Sequence, residues 1–248
     1  MFSYTPRNPH RLSVAGLWCF LLSSTTVFLS PCLGNDGFRE IFNGKDLSGW
    51  KGHSDLWSVQ DGAITGITSA ESPIGANTFL IWDDGTVSDF VLELEYRILA
   101  GDEKNPGGNS GIQYRSRVLD EERFIVGGYQ ADIDFDLTYT GINYEERGRG
   151  ILAQRGQRTT IALDGTKTVE TFADATELGK KIQKKDWNQY RVEAQGSRLS
   201  HFINDQLMSE TIDNQSEKAS SDGVLAFQIH TGPPMIVQFR NIRIKVTQ

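Results

Sequence analysis

Asp89-Phe90-Val91-Leu92-Glu93-Leu94-Glu95-Tyr96-Arg97-Ile98-Leu99 is the stretch whose alternation decides the fold. Phe90, Leu92, Leu94, Tyr96 and Ile98 occupy every second position, with Glu93, Glu95 and Arg97 between them. Successive side chains of a strand point to opposite faces, so this segment lays one face on a core and shows the other to water. The same period recurs on both sides of it. Alternation bounded by Gly, Asn, Asp and Pro predicts strands over 57–60, 63–67, 78–82, 110–118, 128–134, 139–144, 158–163, 168–173, 187–195, 198–203, 206–212, 223–230 and 235–246. Asp61-Gly62, Gly196-Ser197 and Asn204-Asp205 read as hairpin turns. Only 174–185 reads as helix, for one or two turns, with Lys180, Lys181, Lys184 and Lys185 as its solvated face. In the last predicted strand the apolar parity changes from Val237 and Phe239 to Ile242, Ile244 and Val246, which predicts a bulge at Arg240-Asn241. Many antiparallel strands with very little helix make an all-β fold, two stacked sheets or a barrel.

The first 34 residues read differently. Arg7 and Arg11 precede an apolar run from Val14 to Leu29, and Pro31-Cys32-Leu33-Gly34 leads into polar sequence. This is the pattern of a secretory signal peptide over 1–34, which predicts export to the periplasm or the extracellular space and one mature domain over 35–248. A lipoprotein reading of Leu29-Ser30-Pro31-Cys32 is weaker, because proline precedes the cysteine. Ser23, Ser24, Thr25 and Thr26 interrupt the apolar run and disfavour a permanent membrane span. Cys19 and Cys32 both lie in this leader, so the mature chain has no disulfide to stabilise it. Without Arg7 and Arg11 the chain carries 23 basic against 32 acidic residues, a net charge of −9. Such a surface repels nucleic acid and anionic membranes, and neither is expected as a partner.

Three predicted strands carry polar groups on their non-core face. In Gly127–Asp134, Tyr129, Ala131 and Ile133 alternate with Gln130, Asp132 and Asp134. Gln113 and Arg115 oppose Ile112 and Tyr114; Gln228 and His230 oppose Phe227 and Ile229. Asp132 and Asp134 would stand roughly 6.5–7 Å apart at Cβ, close to the carboxyl spacings that glycosidases use. His230, at a strand end, is of a residue type that suits a general base or a metal ligand. Arg115 suits the stabilisation of a developing oxyanion or a structural salt bridge. Tyr139–Gly156, containing the dense Tyr144-Glu145-Glu146-Arg147 and Gly148-Arg149-Gly150, reads as a shaped rim loop. Three histidines spread over the mature chain give no zinc spacing, so no cofactor is predicted; a carboxylate-rich calcium site stays open without a recognisable loop motif.

Phe38-Arg39-Glu40-Ile41-Phe42-Asn43-Gly44-Lys45-Asp46-Leu47-Ser48-Gly49-Trp50 closely resembles the opening of the 3-keto-disaccharide hydrolase family, formerly a domain of unknown function. Asn109-Ser110-Gly111-Ile112 with Arg115, Gly128-Tyr129, Trp187-Asn188, Gln228-Ile229-His230 and Phe239-Arg240-Asn241-Ile242 resemble its later landmarks in order. The resemblance implies a concanavalin A-like, two-sheet antiparallel β-sandwich and a carbohydrate substrate, a glycoside whose glucose is oxidised at C3. One departure stands out. Relatives carry Tyr-Glu-x-Gln-x-x-Asp where this chain has Tyr129-Gln130-Ala131-Asp132-Ile133-Asp134, so acid and amide have changed places.

A C3 ketone acidifies the C2 proton, so a base can form an enolate and the C1 substituent can leave by elimination, with water adding afterwards. That route asks for a base, an enolate stabiliser and an acid for the leaving group. On the resemblance, Asp132 or His230 is cast as base, Arg115 as oxyanion stabiliser, and Glu145 or Asp134 as acid. Gln113, Gln130, Tyr144 and Gln228 are cast as substrate-binding residues. A non-catalytic carbohydrate-binding module of the same fold is the alternative expectation. The residues name no oligomeric state.

Overall fold

The computed structural model describes Met1 and residues 36–247. The expected signal peptide lies outside the described residues. No helix among them is long and apolar enough to cross a membrane.

The strands are β1 (Arg39–Glu40), β2 (Trp50–Lys51), β3 (Trp57–Gln60), β4 (Ala63–Ile67), β5 (Thr78–Trp82), β6 (Phe90–Ala100), β7 (Asn109–Asp120), β8 (Ile125–Asp134) and β9 (Asn143–Glu146). They continue as β10 (Gly150–Ala153), β11 (Gln157–Ile161), β12 (Lys167–Thr171), β13 (Asn188–Gln195), β14 (Arg198–Ile203), β15 (Gln206–Asp213), β16 (Val224–Ile229) and β17 (Met235–Val246). One short helix, α1 (Ala175–Gly179), is capped by the Asp174 carboxylate, which accepts from Thr176 N and Glu177 N. The strands form two sheets, ordered β12-β11-β15-β14-β13-β6-β17-β4-β3 with β1 on β17, and β10-β9-β8-β7-β16-β5-β2. Every pairing is antiparallel except β11 with β15. The all-β fold expected from the alternation, as the two-sheet antiparallel sandwich that the resemblance implies, is the observed architecture.

Strand β6 behaves as its sequence dictates. Phe90, Leu92, Leu94, Tyr96 and Ile98 are buried between the sheets, and the residues between them are half-exposed. Across the core Phe227 of the smaller sheet stacks on Phe239 of the larger at 4.0 Å and on Trp50 at 5.0 Å. The parity change in β17 is a register shift between Arg240 and Arg243, with Asn241 at φ +52°, so both halves of the strand keep their apolar residues inside.

Two expectations around residue 140 are corrected. The predicted strand over 139–144 begins only at Asn143, because the Asp134 carboxylate accepts from the backbone N–H of Thr138, Tyr139 and Thr140 and winds that segment into a turn. The segment after Tyr144 is a hairpin of β9 and β10 rather than an open rim loop.

The core also encloses polar groups. His201 is fully buried; its Nδ1 donates to the Ile142 carbonyl at 3.1 Å and its Nε2 accepts from the Tyr114 hydroxyl at 2.9 Å. Burial pushes its pKa from 6.5 down to about 4, against the opposing pull of the Ile142 carbonyl. The unfolded chain therefore binds a proton that the folded one refuses between those two values. The neutral ring stabilises the fold fully above pH 6.5, and that contribution, about 3 kcal/mol, is lost as pH falls towards 4. Urea unfolding of wild type and His201→Gln at pH 7 and pH 4 should show the stability gap between them shrinking by about that amount; a gap independent of pH would overturn the assignment.

Candidate active site

The site lies on the face of the smaller sheet that is turned away from the core. Register places Gly111 opposite Asp132, Gln113 opposite Gln130, Gln130 opposite Tyr144 and Gly128 opposite Glu146, so these positions share one face across β7, β8 and β9. On β16 the same parity brings out Gln228, and His230 follows at the strand end. A cavity of about 360 Å³ opens among Asn109, Asp132, Tyr144, Glu146, Gln228 and His230. A larger hollow, about 490 Å³, lies on the outer face of the other sheet, where ion pairs occupy its arginines, Arg243 Nη2 standing 2.7 Å from Glu93 Oε2 and Arg191 Nε 3.0 Å from Glu193 Oε1.

Asp132 is buried and accepts from Asn109 Nδ2 at 2.9 Å. Burial pushes its pKa well above the usual carboxylate range; the Asn109 bond opposes this, and the nearby Asp134 and Glu146 carboxylates add to it. The carboxyl thus holds its proton where an exposed aspartate would have lost it. Tyr144 is also pushed upwards, by burial first and then by Glu146 and Asp132, and keeps its hydroxyl proton. Glu146 accepts from Gln228 Nε2 at 3.3 Å and from Asn77 Nδ2 at 3.4 Å. The Asn77 side chain also receives the Thr231 backbone N–H at 3.0 Å, tying the loop after His230 to Glu146. His230 donates from Nδ1 to the Thr231 carbonyl, which has no hydrogen to give, so in the Nδ1–H tautomer the other ring nitrogen is the acceptor.

Behind these residues runs a row of buried amides. Ser116 Oγ donates to Gln113 Oε1 at 2.8 Å, Gln113 Nε2 to Gln130 Oε1 at 3.2 Å, Gln130 Nε2 to Gln228 Oε1 at 2.9 Å, and Gln228 Nε2 to Glu146.

The structure brings Asp132, His230, Gln130, Tyr144 and Gln228 together as the alternation suggests. Gln113 is completely buried beneath them, a member of the amide row and not a surface for substrate. Three further expectations are corrected. Arg115 sits in a bulge at φ +45°, which breaks the alternation and buries its guanidinium against Asp89 at 2.7 Å and the carbonyls of Ser88 and Gly196; it ties the two sheets together away from the cavity. Glu145 has the opposite parity to Tyr144 and points inward, where Arg149 bonds it at 2.6 Å and Asp213 at 2.6 Å. Asp134 shares the face of Asp132, but its oxygens are taken up by the turn described above, so it is not the proton donor. Glu146, Asn109 and Asn77 belong to the site and were not singled out. For Glu146 the signal was available: two residues after Tyr144 it shares that residue's strand face, as Glu145 does not, and the register sets it opposite Gly128. Among the described residues no three His, Cys, Asp or Glu side chains gather closely enough to hold a metal ion.

The chain is similar to known proteins along nearly all of the described sandwich. Residues 37–245 match the family model of the 3-keto-alpha-glucoside-1,2-lyase-like domain. A 91-residue stretch is 34% identical to a 3-keto-disaccharide hydrolase of Bacteroides thetaiotaomicron, covering 34% of this chain and 29% of that protein's length. The fold is similar to a crystal structure of a Parabacteroides distasonis protein named as a candidate glycosyl hydrolase, at TM-score 0.54 and 20% identity, covering 86% of this chain and 94% of the other. It is also similar to a family-66 carbohydrate-binding module of Bacillus subtilis, at TM-score 0.50 and 17% identity, covering 79% and 94%. Those two likenesses speak for the sandwich alone. The family match covers nearly all the described sandwich: the chain belongs to the 3-keto-alpha-glucoside-1,2-lyase-like domain family.

Proposed function

We propose that this chain cleaves 3-keto-glycosides by removing the C2 proton and expelling the C1 substituent. The observation that carries the reading is the pairing, in one cavity, of a carboxyl held protonated by burial, Asp132, with a second carboxylate, Glu146, that accepts at both oxygens. Two neighbouring acids with separated duties are what an elimination needs. Glu146 takes the C2 proton, and the electron pair moves into the C2–C3 bond and onto the C3 oxygen. The Tyr144 hydroxyl, which keeps its hydrogen, donates to that oxygen, the duty first assigned to Arg115. The C3 ketone re-forms, a C1–C2 double bond appears, and Asp132 gives its proton to the departing C1 oxygen. The acceptor nitrogen of His230 orients a sugar hydroxyl or the water that adds afterwards. The exchange of acid and amide at Gln130 and Asp132 fits this scheme, since the acid stays on the same face two residues along.

Incubation with a chromogenic aryl 3-keto-glucoside, with 3-keto-trehalose and with the unoxidised sugars tests the reading. Cleavage of the keto-sugars alone is expected; binding without cleavage would make the chain a carbohydrate-binding module, and cleavage of unoxidised glucans a conventional glycosidase. Asp132→Asn sharpens the result. Loss of the acid should slow 3-keto-trehalose on the order of a hundredfold or more and the aryl glycoside far less, because a phenolate leaves without protonation. Equal losses on both substrates would remove Asp132 from the role of acid.

A further inference from the structure

We infer that the buried amide row is a positioning device for the Glu146 carboxylate, and that Gly111 is the residue that lets it exist. This inference rests on the part given to Glu146 above.

The row has a single consistent polarity. Glu146 accepts at both oxygens, so Gln228 must turn its NH₂ towards it and its Oε1 towards Gln130. Gln130 must then present NH₂ to Gln228 and Oε1 to Gln113, whose own Oε1 receives the Ser116 hydroxyl. Turning Gln130 or Gln228 over would set donor against donor on one side and acceptor against acceptor on the other, and turning Gln113 over would set its oxygen against that of Gln130. Gln113, Gln130 and Gln228 are all buried, so water cannot repair such a mismatch. The carboxylate is thereby aimed from behind by three side chains that reach it through one another, and Gln130, first read as a substrate ligand, acts from inside the sheet.

Gln130 lies on β8 and Gln228 on β16, with β7 between them. To touch Gln228, the Gln130 side chain must cross β7, and it crosses over Gly111. A Cβ at Gly111 would lie 2.1 Å from Gln130 Nε2 and 2.6 Å from its Cγ and Cδ. Gly111 is not among the residues with positive φ, so no turn or strained backbone requires glycine there. What its missing side chain provides is the passage for the amide.

The test uses the full chain and a 3-keto-glucoside, with Gly111→Ala, Gln130→Ala, the double variant and Glu146→Gln, each checked for native circular dichroism and cooperative melting. Gly111→Ala and Gln130→Ala should each lower kcat about ten- to a hundredfold, with KM changed by no more than about threefold, since the base is misaimed while sugar contacts remain. The double variant should be no slower than the slower single, because both act through one side chain. Additive losses would mean that Gly111 serves packing and would overturn the inference. Near-wild-type turnover of both singles beside an inactive Glu146→Gln would overturn it and leave the function standing. An active Glu146→Gln would remove Glu146 from the role of base and overturn the inference that rests on it, while leaving cleavage of 3-keto-glycosides standing. Should Gly111→Ala not fold, Gln113→Met takes its place, cutting the row at its far end with the same expected fall in kcat.

Discussion

Replacing Glu146 by glutamine is expected to lower turnover of a 3-keto-glucoside about a thousandfold, the scale of a lost general base. The substitution keeps the size of the side chain, so the cavity is not reshaped. It removes the atom that takes the C2 proton and places an NH₂ against either Gln228 Nε2 or Asn77 Nδ2, both donors. Exchange of the C2 hydrogen with deuterated solvent separates the base from the other groups. Asp132→Asn should still wash deuterium into the C2 position of a poor-leaving-group substrate, whereas Glu146→Gln should not. Retained exchange in Glu146→Gln would assign the proton abstraction elsewhere, with His230 next to be examined. The neighbouring Glu145→Gln supplies the contrast, since its side chain faces the opposite side of the sheet and should leave kcat close to wild type in the folded protein.

Truncating Arg149 to methionine should cost about 3–5 kcal/mol of stability, the range for removing one partner of a buried ionic cluster. Its guanidinium bonds Glu145 and Asp213 and reaches Gln215, and all three charged side chains are largely buried. Burial alone would push the Asp213 pKa up; the bonds from Arg149 and from the Tyr129 hydroxyl outweigh it and hold the pKa below the usual carboxylate value. Without the arginine two carboxylates are left facing each other in the sandwich edge. For a chain of this length the loss corresponds to a fall in melting temperature of roughly 10 °C. Thermal melting and urea unfolding measure it; a change below about 1 kcal/mol would show that the cluster is solvated in solution. Glu145→Gln should lose less, because Asp213 keeps its partner.

The sandwich was readable from alternation because burial acts on every second residue of every long strand, and β6 states that rule without exception. Even the bulge in β17 followed, since a change of parity has no other remedy when both halves must face one core. The site was readable only as far as alternation persisted. Gln130, Asp132, Gln228 and His230 lie on or directly after uninterrupted strands and line the one cavity, although Gln130 and Gln228, cast as substrate-binding, are buried in the amide row. Arg115 was misplaced because a left-handed residue breaks the count, and nothing local in Tyr114-Arg115-Ser116 announces it. Glu145 and Glu146 were confused for a different reason. Adjacent residues cannot share a strand face, yet Tyr144 and Glu145 were both assigned to the site. The strand's true start was hidden by Asp134, whose capture of three backbone amides is a contact across the turn and not a periodicity. The amide row, too, depends on a side chain crossing a neighbouring strand at a glycine, an event with no signature in either strand alone.

The turn between β8 and β9 therefore carries a constraint out of proportion to its exposure. A single amino acid added or removed between Phe135 and Ile142 would slide β9 by one place and exchange its two faces. Glu145 would swing into the cavity while Glu146 was delivered to Arg149, so reactive acid and structural anchor would trade addresses without any change in either codon. Length drift in that hairpin is thus as damaging as substitution at the acids themselves, and variants should tolerate altered side chains there far better than an altered count.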